Sequence, residues 1–78
     1  MNIRSRLQQV MREIFDDDVL EIRDDLAADE VPDWDSLAHV RLIVAVEKEF
    51  GVRFSSAEVG DIENVGALLR LVESKIAG

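Results

Sequence analysis

In three segments of this chain the apolar residues return every three or four positions. Ile3, Leu7, Val10, Met11 and Ile14 form the first set. Leu42, Ile43, Val46 and Phe50 form the second, and Val65, Leu68, Leu69, Val72 and Ile76 the third. That spacing puts each set on one face of an α-helix. The chain has 78 residues and no cysteine, so neither a disulfide nor a cysteine-based metal site can hold it together. A domain of this size buries only about 60% of its unfolded surface. The core must come from helix packing alone. The expected fold is all-α: a small four-helix bundle with three longer helices, one short third helix and a long first loop. Residues 1–78 are read as one domain.

Local signals place the helices at about residues 2–15, 36–50, 56–61 and 64–77. Asn2 is a suitable N-cap for the first. Three consecutive acids, Asp16 to Asp18, oppose the macrodipole at its C-terminus and act as a stop. Gly51 stops the second helix. Ser55 followed three residues later by Glu58 is a capping box for the short third helix. Gly60 and Asp61 leave that helix only one or two turns. The last helix starts after Asn64.

Between Asp16 and Asp35 no period is sustained. Val19, Leu20, Ile22, Leu26 and Val31 are scattered among acids. Ordered loops this long in small domains are often functional, and the apolar residues predict that this one packs on the body. Pro32 biases Val31 towards extended backbone and prevents an early helix start.

Formal net charge is −8, from 17 acidic against 9 basic residues. This disfavours nucleic acid, whose phosphates need a basic face, and anionic membranes. It favours solubility and long-range attraction to basic partner surfaces. The apolar residues of the N-terminal segment are spaced, unlike those of a signal peptide. No apolar run approaches the roughly 20 residues that span a bilayer. The expectation is a cytoplasmic monomer without membrane insertion.

The second helix has more apolar residues than one core stripe requires. At about 100° per residue, Leu37, Val40 and Val44 fall on a stripe separate from Leu42, Ile43, Val46 and Phe50. Arg41 and Lys48 line its far side. The extra stripe either widens the core or forms a docking surface rimmed by charge. Ser36 stands at the end of the helix, between the two stripes. Serine is a favoured N-cap, so Asp35-Ser36-Leu37 has a purely structural reading as a helix start.

The wider pattern resembles the acyl carrier protein family. It comprises the long acidic first loop, "DSL" opening the second helix, "EKEFG" closing it, the short helix "SSAEVGD" and the last helix "NVGALLRLVESKI". "DWDSLAHVRLIVAVEKEFGVRF" is its most specific part. The resemblance implies that Ser36 carries 4′-phosphopantetheine, esterified by a phosphopantetheinyl transferase from coenzyme A. The thiol of that arm would hold an acyl group as a thioester, so a chain without cysteine would carry its thiol on the cofactor. Such a protein is no enzyme: the chemistry is done by loading ligases, synthases and transferases with basic docking surfaces. Asp35, Leu37, Val40, Val44 and Glu47 match positions that contact partners, and Glu49 matches the acidic end of the same helix. The pathway would be fatty-acid, polyketide or related biosynthesis. A peptidyl or aminoacyl carrier shares the same arm. Arg41, His39 and Trp34 depart from the fatty-acid carriers and point to a specialised carrier.

Other classes fit less well. A serine hydrolase needs a base and an oxyanion hole; the one histidine, His39, lies on the same helix as Ser36, and no Gly-x-Ser-x-Gly elbow exists. His39 reads as a partly covered helix residue. "DDDVLEIRDDLAADE" has carboxylates but lacks the glycine and spacing of an EF-hand. No metal site is expected. From a different class, a cofactor-free acidic helical adaptor would use the Leu37, Val40 and Val44 strip to bind its partner.

Overall fold

The computed structural model describes residues 2–77 and is helical, with no strand among them. Four α-helices follow in order: α1 (Ile3–Ile14), α2 (Ser36–Phe50), α3 (Ser56–Gly60) and α4 (Val65–Ala77). A 3-10 turn covers Ala28–Glu30 inside the long first loop. The expected spans 2–15, 56–61 and 64–77 run longer because they include the caps: Asn2 and Phe15 of α1, Asp61 of α3 and Asn64 of α4. Asn2 caps α1 by accepting from the Ser5 amide at 3.0 Å. Asn64 does the same for α4 through the Ala67 amide at 2.9 Å.

The end of α1 is built by a backbone turn. Asp16 adopts left-handed φ of 50°, a conformation aspartate tolerates better than most residues. The turn lets the Asp17 amide donate back to the Arg12 carbonyl at 3.0 Å. Gly51 ends α2 in the same way, with φ of 65° and the Val52 amide on the Glu47 carbonyl at 3.1 Å. Both are Schellman-type closures that satisfy carbonyls otherwise left open.

The core is a continuous apolar cluster. Leu7, Met11, Leu42, Val46, Val65, Leu68 and Val72 are its fully buried members. They come from the predicted stripes of α1, α2 and α4, and α1 packs on both α2 and α4. Ile76, expected on the apolar face of α4, is instead 45% exposed.

The first loop is pinned to this core at both the side-chain and backbone level. Ile22, Leu26, Val31 and Trp34 are buried, whereas Val19 points to solvent. Gln8 on α1 accepts from the Ile22 amide at 2.9 Å, and Arg12 donates to the Leu20 carbonyl at 2.7 Å. At the other side, the first amides of α4 find loop carbonyls. Val65 donates to Leu26 at 2.9 Å and Gly66 to Asp24 at 2.8 Å. A helix leaves its first amides without internal partners, and here the loop supplies the acceptors. Gly66 is needed for that approach, since a Cβ there would lie 2.8 Å from the Asp24 carbonyl oxygen. Val31, ahead of Pro32, is extended as expected, with φ −115° and ψ 107°.

Candidate functional site

The loop delivers the chain to the start of α2, and the site grows from that junction. Trp34 is buried against Phe15, with ring centroids 5.8 Å apart, and so anchors the loop one residue before Asp35. Asp35 has extended backbone, and its carboxylate accepts from the Ala38 amide at 2.8 Å. The cap of α2 is therefore Asp35. The cap reading considered for serine does not hold: Ser36 is the first residue inside the helix. It is exposed. A carboxylate in the capping position leaves the hydroxyl beside it without a structural duty.

Ser36 opens onto a groove of about 570 Å³ between α2 and α3. Trp34, Asp35, His39, Val40 and Val59 are among its walls. Val40 and Val59 continue into a second depression of about 310 Å³, along with Ile43, Val44 and Phe54. The walls thus alternate aliphatic surface with a few polar groups near the serine.

The two stripes of α2 separate as the helical spacing predicts. Leu42, Ile43 and Val46 are buried and Phe50 is half-buried. Leu37, Val40 and Val44 are 70%, 56% and 44% exposed, so they do not widen the core. Each such side chain is worth about 1.5–3 kcal/mol when fully buried, which makes an ordered exposed row a surface suited to being covered. Arg41 and Lys48 are exposed on the same side of the helix.

The acids around this surface have internal duties that the sequence did not disclose. Glu47 is half-buried and accepts from the Phe54 amide at 2.9 Å, tying α2 to the segment leading into α3. Glu49 pairs with Arg6 on α1 and so turns from the exposed stripe towards the bundle. On α3, Glu58 completes the expected capping box, accepting from the Ser55 amide at 2.8 Å and pairing with Lys75 of α4 at 2.9 Å. The Ser55 amide, and then the Lys75 ammonium, hold the Glu58 carboxyl below the usual carboxylate range. His39, half-buried, lies between the Trp34 indole and the Val59 carbonyl.

Comparison with known proteins identifies the family and the fold. The family model for the phosphopantetheine attachment site matches residues 5–72. The chain is 34% identical over 73 residues to the polyketide-8 synthase acyl carrier protein 2 of Streptomyces avermitilis, covering 94% of this chain and 84% of that protein. It is also similar to the solution structure of the holo acyl carrier protein from Geobacter metallireducens. There the TM-score is 0.92 at 35% identity, over 99% of this chain and 88% of the other. Among the described residues no helix is long and apolar enough to cross a membrane. The chain belongs to the acyl carrier protein family, whose members are carriers and not catalysts, and its cofactor is a covalently attached phosphopantetheine.

Proposed function

We propose that Ser36 is the residue to which the 4′-phosphopantetheine arm is attached. The observation that carries this is the division of labour at the junction: Asp35 caps α2 through the Ala38 amide, and the neighbouring exposed Ser36 hydroxyl is left for chemistry. A phosphodiester at this position suits the site. The N-terminus of a 15-residue helix carries partial positive charge and amides with no helical acceptor. When attached, the arm supplies the thiol on which an acyl group is held as a thioester. The groove beside Ser36 offers Val40 and Val59 to the apolar parts of an arm and the His39 side to its polar parts.

The exposed row of Leu37, Val40 and Val44 presents the loaded carrier to its partners. Those partners are a phosphopantetheinyl transferase and the loading and synthase enzymes of the pathway. Asp35 and Glu47 flank the row, each with one carboxylate oxygen bonded internally and the other left over for a basic partner. Arg41 and Lys48 give the same face cations as well. A partner that fits the whole row carries both signs of charge, and this supports a dedicated enzyme set. The named relative from Streptomyces avermitilis supports polyketide-type acyl groups as cargo.

Incubation with coenzyme A and a broad-specificity phosphopantetheinyl transferase tests the attachment. Intact mass should rise by one phosphopantetheinyl group, and Ser36→Ala should abolish the gain. An unchanged mass in the unaltered chain, or labelling that survives Ser36→Ala, would overturn the assignment.

A further inference from the structure

Most of the cations of this acidic chain have partners among the described residues. Arg4, Arg6, Arg23 and Lys75 form ion pairs, Arg12 donates to the Leu20 carbonyl, and Arg70 lies beside Glu58 and Asp61. Arg41, Lys48 and Arg53 take part in no such pair there, and all three are exposed. Lys48 and Arg53 line a depression of about 490 Å³ at the C-terminal end of α2, with Val44 and Val52 as its apolar walls. Arg41 stands two turns before Lys48 on the same side of the helix. The acids of that end are engaged elsewhere: Glu47 by the Phe54 amide and Glu49 by Arg6. The macrodipole accounts for Lys48 in the last turn of α2, but not for Arg41 in mid-helix.

The other end of the bundle has the reverse chemistry. α1 and α2 run antiparallel: Arg6 early in α1 pairs with Glu49 late in α2, and Phe15 after α1 packs on Trp34 before α2. The turn after α1 therefore lies opposite the cationic end. Its Val19 is 80% exposed, more than any other large apolar residue described, and Asp16, Asp17 and Asp18 precede it. Among the described residues none of these three carboxylates is in an ion pair. Arg12, the nearest cation in sequence, is half-buried and held at Leu20. The tip is fixed: the Asp17 amide donates to the Arg12 carbonyl, and the Asp17 carboxylate accepts from the Val19 amide at 3.1 Å. A surface ordered in advance loses little freedom on docking.

We propose that the acidic tip at Val19 of one copy docks into the cationic depression at Val44 and Val52 of a second copy of this chain. Val19 covers the two valines, and the aspartates face Lys48, Arg53 and Arg41. The two surfaces differ and lie at opposite ends, so the contact is heterologous and each docked pair keeps one free surface of each kind. A contact this small belongs with the weak, transient interfaces. An extended polyanion fits less well, because it would also meet the acids behind the net charge of −8. Val44 belongs to the row proposed for enzymes as well, so a docked copy covers one end of that row. The docking itself does not rest on the Ser36 reading.

Salt separates the attraction of the two patches from the repulsion of the whole chains. The Debye length is about 30 Å at 0.01 M ionic strength, about 10 Å at 0.1 M and about 3 Å at 1 M. Repulsion dominates at the first, opposed patches in contact attract at the second, and both are screened at the third. Sedimentation velocity of the apo chain, from micromolar to millimolar concentration, should show association strongest near about 0.1 M salt. At that salt, concentrating the ¹⁵N-labelled chain should shift two groups of amides, Asp17–Val19 and Lys48–Arg53. Lys48→Glu combined with Arg53→Glu should weaken association about tenfold or more, since each exposed pair contributes up to about fivefold and reversal makes both repel. Mixed with a chain bearing Asp18→Asn and Val19→Ser, that variant should form pairs that grow no further. A chain that stays monomeric at every salt, association that rises steadily with salt, or shifts away from the two ends would overturn the proposal. All three are read on the unaltered chain, so a misfolded variant does not shield it. Intact mass after transferase treatment scores the Ser36 reading separately.

Discussion

Leu42 and Val46 on one side of α2 are fully buried, while Leu37 on the other side is mostly exposed. Both sides are aliphatic, both belong to one continuous helix, and the same capping residue starts them. The difference lies in what faces them. The inner side meets the stripes of α1 and α4, and the outer side meets solvent along the edge of the Ser36 groove. A helix that only supported a core would have its outer side polar. Apolar residues retained on both sides fit two duties: the inner stripe holds the fold, and the outer stripe is the one we propose for a partner.

The comparison breaks most visibly from the inside. Leu42→Ala removes a fully buried side chain and should cost about 2–5 kcal/mol of stability, the range for such cavities in packed cores. Chemical denaturation measures it. A loss below about 1 kcal/mol would mean that the inner stripe is not what holds α2, since even the mildest core truncations of this kind exceed that.

The next largest effect asks whether the loop belongs with the inner side. In Gly66→Ala the new Cβ would meet the Asp24 carbonyl oxygen at 2.8 Å and the Asp24 Cβ at 3.1 Å. Backbone atoms cannot swing aside as a side chain can, so about 1–3 kcal/mol should be lost, as in other overpacked sites. Because the loop delivers Asp35 and Ser36, hydrogen exchange at the start of α2 should rise in this variant. A stable Gly66→Ala chain would show the loop to be loosely attached.

A smaller effect concerns α3, which borders the outer side. Glu58 has its folded pKa lowered by the Ser55 amide and by Lys75. A group whose pKa is lowered by folding adds stability above its unfolded value, and that contribution is lost as pH falls through the folded value. Acid in the carboxylate range should therefore loosen α3 in the wild type and leave Glu58→Gln unaffected there. An α3 that is equally firm on both sides of the carboxylate range would remove Glu58 from its anchoring role.

The helices were legible because the signals that specify them are local. A period of 3.6 marks α1, α2 and α4, and short-range chemistry marks their ends at Asn2, Gly51, Ser55 and Glu58. The outer stripe was legible as a stripe, but only the fold decides that nothing covers Leu37, Val40 and Val44. The loop was legible as packed, not in detail: Ile22, Leu26, Val31 and Trp34 are buried through long-range contacts that follow no period, while the similar Val19 is exposed. Trp34 read as a mark of specialisation and proves also to be a core residue. Three features had no local signal strong enough to find them. Asp35 and Ser36 are both good caps, and only backbone geometry gives the role to Asp35. Glu47 reaches the Phe54 amide seven residues on. His39 meets Val59 across twenty positions.

Val44→Asp should have the smallest effect on stability and is the most direct measurement of the two-sided helix. Val44 is 44% exposed, and surface substitutions away from special features usually change stability by within about 0.5 kcal/mol. The variant and the unaltered chain would be compared in thermal melts and in initial rates of modification by the transferase with coenzyme A. The expected result is an almost unchanged melting temperature with a markedly slower rate. A melting temperature that falls in parallel with the rate would place Val44 in the core, and an unchanged rate would leave the outer stripe without a partner at this step.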